Sequence, residues 1–91
     1  MKKLVINHCY GGFSLSDYAV KALGLRSAYA DIARDDERLI ALVEADADKA
    51  SGDCAKLRVV ALPDGYTDYE VDEYDGFESV IYVLNGKIHH A

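Results

Sequence analysis

Three two-residue turn signals divide the second half of this chain and constrain its fold more than any other feature. Asp64-Gly65 follows Pro63, Asp75-Gly76 stands eleven residues on, and Asn85-Gly86 ten after that. Asp-Gly and Asn-Gly are the dipeptides that tolerate the positive φ angles of tight hairpins, so the segments between them read as strands of a meander. Leu57 to Leu62, ending at Pro63, is one strand. Tyr66 to Tyr74 is the next, and Phe77 to Leu84, with Val80-Ile81-Tyr82-Val83, is strongly strand-forming. Lys87 to Ala91 is left as a short edge strand or a frayed tail.

The first half reads differently. Lys3 to His8 holds Leu4-Val5-Ile6 and gives a buried strand that Gly11-Gly12 terminates. Ser14 then stands as a helix N-cap, with Asp17 as its capping-box partner, Phe13 and Tyr18 as a hydrophobic staple, and Gly24 as the residue that ends the helix. Leu25 to Arg34 is open between a short helix and an extended connection, with Tyr29 and Ile32 as core contacts. A second helix starts near Asp35, its first turn carrying Asp36 and Glu37 where negative charge complements the macrodipole. It buries Leu39, Ile40, Val43, Ala47 and Ala50 and ends at Gly52. The expectation is one α+β domain over residues 1–91, ordered β-α-α-β-β-β, its antiparallel or mixed sheet covered on one face by two helices.

Charge is segregated. Seven of the 16 acidic residues and none of the 10 basic ones fall between positions 64 and 78, so that segment carries −7 and the rest of the chain +1. Free nucleic acid is excluded as a partner by this balance, because binding it depends on a basic face that neutralises phosphates. Strand periodicity puts Asp68, Glu70 and Asp72 on one face and Thr67, Tyr69 and Val71 on the other. Two functions fit such a row: a solvated edge protected by charge, or a docking surface for a basic protein. Glu73, Asp75, Asp64 and Glu78 at the turns extend the acidic surface, and Tyr66 and Tyr74 supply aromatic interface anchors.

The remaining chemistry is sparse. Cys9 precedes a Gly-Gly turn and a helix start, where a thiol can be activated and an anion held, but Gly-Gly also serves a tight turn and cysteine is a common core residue. His8 and Cys9, adjacent on a strand, point to opposite faces and do not form a dyad. Asn7 is read as bonding nearby backbone. His8, Cys9, Cys54, His89 and His90 lack the paired spacings of a zinc site, so no metal or other cofactor is expected. Two cysteines in a chain without a leader-like or membrane-spanning apolar run read as free thiols in a reducing cytoplasm.

Val5-Ile6-Asn7-His8-Cys9-Tyr10-Gly11-Gly12-Phe13-Ser14, continued through Arg34-Asp35-Asp36, Leu57 to Asp64 and Tyr69 to Gly76, resembles a family of small bacteriophage and prophage proteins. These open with a strand, an Asn-x-Cys-aromatic-Gly-Gly-Phe turn and a helix. The resemblance departs at Val80-Ile81-Tyr82-Val83, where the family carries a charged, helix-like end. It implies an accessory protein in a bacterial host cytoplasm that binds and inhibits host machinery or a defence system, in the manner of an anti-CRISPR protein. A homodimer through an exposed sheet edge, and a small cysteine-dependent enzyme or ligand-binding protein using the Asn7 to Gly12 turn, are the competing expectations.

Overall fold

The computed structural model describes residues 1–29 and 31–91; Ala30, inside the segment whose structure the sequence leaves open, lies outside the described residues. The elements run β1 (Lys2–Asn7), α1 (Asp17–Leu23), α2 (Glu37–Ala45), α3 (Ala47–Ala50), β2 (Leu57–Leu62), β3 (Tyr66–Tyr74), β4 (Phe77–Leu84) and β5 (Lys87–His90). The chain is a small α+β domain in the expected element order, with every strand pair antiparallel. Its strands divide between two sheets instead of forming one: β1 pairs only with β2, and β3, β4 and β5 form the meander.

Alternation along β1 shows why there are two sheets. Leu4 and Ile6 enter a core with Leu62 and Val80, against which Val60, Tyr69 and Val71 pack. Val5 points the other way, into a core with Leu15, Ala19, Leu39, Val43 and Leu57. The β1–β2 pair is therefore a middle layer, with helices on one side and the meander on the other. Covering both faces of β1 accounts for an apolar run without polar alternation.

Local corrections follow from hydrogen bonding. The cap of α1 is Ser16, whose Oγ accepts from the Ala19 N–H at 3.1 Å. Ser14, read as the cap, is buried, and its carbonyl accepts from the Gly52 N–H at 3.1 Å. Asp17 becomes a first-turn residue, and the staple does not form as expected: Phe13 lies beneath the Arg34 guanidinium and Tyr18 beneath the Lys49 ammonium. Gly24 does end α1, in the left-handed region at φ 67°. The second helix is broken at Asp46, which is extended and caps α3 by accepting from the Lys49 N–H. Leu39, Val43 and Ala50 are buried, with Ile40 and Ala47 packed at the margin. Ile32 packs on the helical core, whereas Tyr29 is 79% exposed and makes no core contact of the kind expected.

In the meander, Asp75 and Gly76 take φ 53° and 90°, and Asn85 and Gly86 take 53° and 75°. Positive φ at both central positions is the two-residue turn that matches strand twist. The second such turn carries the C-terminus into β5 as a paired strand. No helix among the described residues is long and apolar enough to cross a membrane.

Candidate partner-binding face

Residues directly opposite on neighbouring strands share a face, so the register of the meander composes its outer surface. Asp68, Glu70 and Asp72 stand opposite Val83, Ile81 and Ser79 of β4, and Val83 and Ile81 stand opposite Ile88 and His90 of β5. A carboxylate row on β3 thus borders an apolar row made by Ile81, Val83 and Ile88. The three acids are exposed, and Ile88 is 71% exposed. Among the described residues, none of Asp68, Glu70, Asp72, Glu73 or Asp75 takes part in an ion pair.

The row also closes the sheet edge. In a hairpin with a two-residue turn, Tyr74 and Phe77 form a hydrogen-bonded pair, so the N–H groups of Tyr69, Val71 and Glu73 point away from β4. Asp68 Oδ1 accepts from the Tyr69 N–H at 2.9 Å and Asp72 Oδ1 from the Glu73 N–H at 3.1 Å. Two of the three outward donors are capped by the preceding side chain. The bulge at Thr67, between the Tyr66 and Asp68 pairings, further disrupts the edge. Strand addition along β3 is thereby discouraged, while the face of the meander stays open.

Other expected members of the site separate. Because the bulge shifts alternation, Tyr66 shares the inner side with Tyr69, packs on the second core and meets the Tyr69 ring edge-on at 5.8 Å. It is no exposed anchor. Tyr74 is 77% exposed at the far end of β3. Glu73 turns its carboxylate back to the Gly76 N–H, Asp75 occupies the turn, and Asp64 pairs with the N-terminal amine at 3.0 Å.

Glu78 is not part of the acidic surface at all. It is 6% exposed, accepts from the Asn7 N–H at 2.9 Å, and holds Arg34 through both carboxylate oxygens. Its position gives the signal that sequence reasoning missed: Glu78 shares strand parity with buried Val80, so it had to face inward. Fully buried Asn7 completes the junction. Its side-chain N–H groups donate to the carbonyls of Cys9 and Gly76, and its Oδ1 accepts from the Lys56 N–H.

This junction occupies the turn considered for catalysis. A Cβ on Gly11 would lie 2.1 Å from the Cys54 carbonyl oxygen, and one on Gly76 would lie 2.5 Å from the Gly12 nitrogen. Both glycines are small because other backbone segments press against the turn. Helix α1 starts at Asp17, after its Ser16 cap, so the Gly-Gly turn does not open directly onto a helix N-terminus. The His8 ring stacks on Phe77 with centroids 5.0 Å apart, and burial together with the Arg58 charge lowers its pKa, against an opposing pull from Glu78. Cys9 is half-buried, Cys54 is exposed, and both are free thiols. Among the described residues, no group of three or more His, Cys, Asp or Glu side chains is placed to hold a metal ion.

No protein-family model, curated protein or solved structure matches this chain. The face must be read from its own chemistry.

Proposed function

We propose that the protein is a phage- or prophage-encoded accessory factor that binds a basic host protein through the outer face of its meander and inhibits it without catalysis. The single observation carrying this reading is the unpaired row Asp68, Glu70 and Asp72 bordering the apolar row of half-buried Ile81 and Val83 and exposed Ile88. Exposed carboxylates without basic neighbours steer a cationic partner, and the adjacent apolar side chains supply area to bury once it arrives. A host nucleoprotein complex, such as a defence complex with a basic nucleic-acid channel, is the target class that the sequence resemblance suggests. The proposed site of action is the host cytoplasm.

The test is affinity chromatography of host lysate on immobilised protein, developed with salt. Asp68→Asn, Glu70→Gln and Asp72→Asn together remove the charge while keeping an oxygen to cap the edge donors. Partner affinity is expected to fall at least tenfold, about 1.4 kcal/mol. Retention that is equal for the triple variant and indifferent to salt overturns the acidic docking mechanism.

A further inference from the structure

The sheet edges are not finished alike. On β1, the Val5 N–H donates to the Arg34 carbonyl at 2.8 Å and the Arg34 guanidinium donates to the Val5 carbonyl at 3.3 Å, so the α1–α2 connection covers that edge. On β3, Asp68 and Asp72 cap it. On β2 the outer edge is open. Val59 stands opposite Val5, and because the Val5 N–H points outward this is a pair not bonded across the strands. Val59, and Ala61 two residues on, therefore turn their own N–H and C=O groups outward. Leu57 has the same orientation, but its N–H is taken by Ser51 Oγ at 2.9 Å. Among the described residues, nothing bonds Val59 or Ala61 on that side. Ala61 is exposed, and a depression of about 380 Å³ lined in part by Val43, Ala47, Leu57 and Val59 runs between the helices and β2.

We propose that this edge pairs antiparallel with β2 of a second copy, about a two-fold axis at Val60. In that register Val59 of each copy meets Ala61 of the other, and the four open N–H groups and four open C=O groups form four hydrogen bonds. Val60 meets Val60, and Arg58 meets Leu62. Beyond the strand ends, Lys56 of each copy comes opposite Asp64 of the other, with Arg58 diagonal to the same carboxylate. That carboxylate pairs with the N-terminal amine of its own chain at 3.0 Å, but it is 88% exposed and open to a second cation. Lys56 and Arg58 have no acidic partner in their own chain among the described residues. Moving the axis to Val59 would demand the Leu57 N–H that Ser51 already holds and would set Lys56 against Leu62. The edge is thus self-complementary in one register, in hydrogen bonds and in charge, which favours a copy of this chain over a foreign strand. The strand β5 also has an unpaired edge, but it is four residues long, and two-fold pairing about Ile88 would set Lys87 against His89. Pairing through β2 joins the two middle layers into one four-stranded sheet. It puts both acidic faces on the same side of the assembly.

Sedimentation velocity and light scattering on the purified full chain decide the matter. The expected particle has twice the 10.0 kDa chain mass. Ala61→Pro removes an outward N–H that the chain itself does not use, a change that an edge strand accommodates. It is expected to weaken the dimer at least tenfold while leaving the circular dichroism spectrum unchanged. Lys56→Glu is expected to weaken it as well, and adding Asp64→Lys to restore it; this pair decides the matter should Ala61→Pro unfold. A particle of single-chain mass up to millimolar concentration overturns the proposal. So does a dimer whose affinity is unmoved by Ala61→Pro in the folded state or by the charge exchange.

Discussion

Glu78 accepts the Asn7 backbone N–H at 2.9 Å across 71 positions of sequence, and the same carboxylate grips Arg34 from the α1–α2 connection. One side chain therefore ties the meander to the middle layer and both to the helical side. Glu78→Gln keeps the shape but removes the charge that Arg34 is positioned for. Hydrogen bonds to charged groups contribute about 1.5–3 kcal/mol, and a loss of that order is expected in urea unfolding. An unchanged midpoint would show that the pairing contributes no net stability.

Capping of the β3 edge by Asp68 and Asp72 predicts a solubility effect separable from charge. Asp68→Ala with Asp72→Ala exposes the Tyr69 and Glu73 donors, and light scattering at raised concentration is expected to report association. The corresponding Asn pair loses equal charge yet keeps an acceptor, and it is expected to remain dispersed. Equal association of the two variants would assign protection to charge alone.

Two hairpin glycines form a matched comparison. Gly86 has φ 75° with nothing within 4 Å of an added Cβ, whereas Gly76 has φ 90° and an added Cβ would lie 2.5 Å from the Gly12 nitrogen. Gly86→Ala carries only the left-handed backbone penalty, about 1–2 kcal/mol. Gly76→Ala carries that penalty and forces the Tyr10 to Gly12 turn aside, so its melting temperature is expected to fall well below that of Gly86→Ala. Similar melting temperatures would mean that the two turns do not press together.

Burial and the Arg58 charge hold the His8 pKa below its ordinary value of 6.5. The fold thus favours neutral imidazole, and the unfolded chain binds the proton more readily. The contribution of His8 to stability is fully present above pH 6.5 and is lost as pH falls through the lower folded-state pKa. An NMR titration of the His8 ring is expected to show a midpoint below 6.5, and His8→Phe, which keeps an aromatic face on Phe77, to flatten the acid side of the stability profile. A midpoint at or above 6.5 contradicts the burial.

The strands were legible because their punctuation is chemical. Asp75-Gly76 and Asn85-Gly86 admit the positive φ that their turns need, and β-branched residues fill the segments between. Sheet membership was not legible, because Leu4-Val5-Ile6 shows that a strand is covered without showing by what. The helix caps were misplaced for a related reason. Ser14 and Ser16 are equally good acceptors by residue type, and tertiary packing buried Ser14 against Gly52. The break at Asp46 was masked by apolar spacing that continues through Ala47 and Ala50. At the candidate site the carboxylate row was visible from alternation, but its apolar border depends on the register between β3, β4 and β5. The Thr67 bulge turned Tyr66 inward, where strict alternation put it beside exposed anchors.

The middle position of β1 has a consequence for synthesis. Its Leu4, Val5 and Ile6 are made about fifty residues before their partner strand, which begins at Leu57. At 5–20 residues per second, the chain trails a bare apolar segment for roughly 3–10 s before β2 exists to pair with it. Lys2 and Lys3 in front of that segment and Asn7 and His8 behind it are polar gatekeepers during the interval. The strand that joins both cores is the one the ribosome delivers long before either core can close.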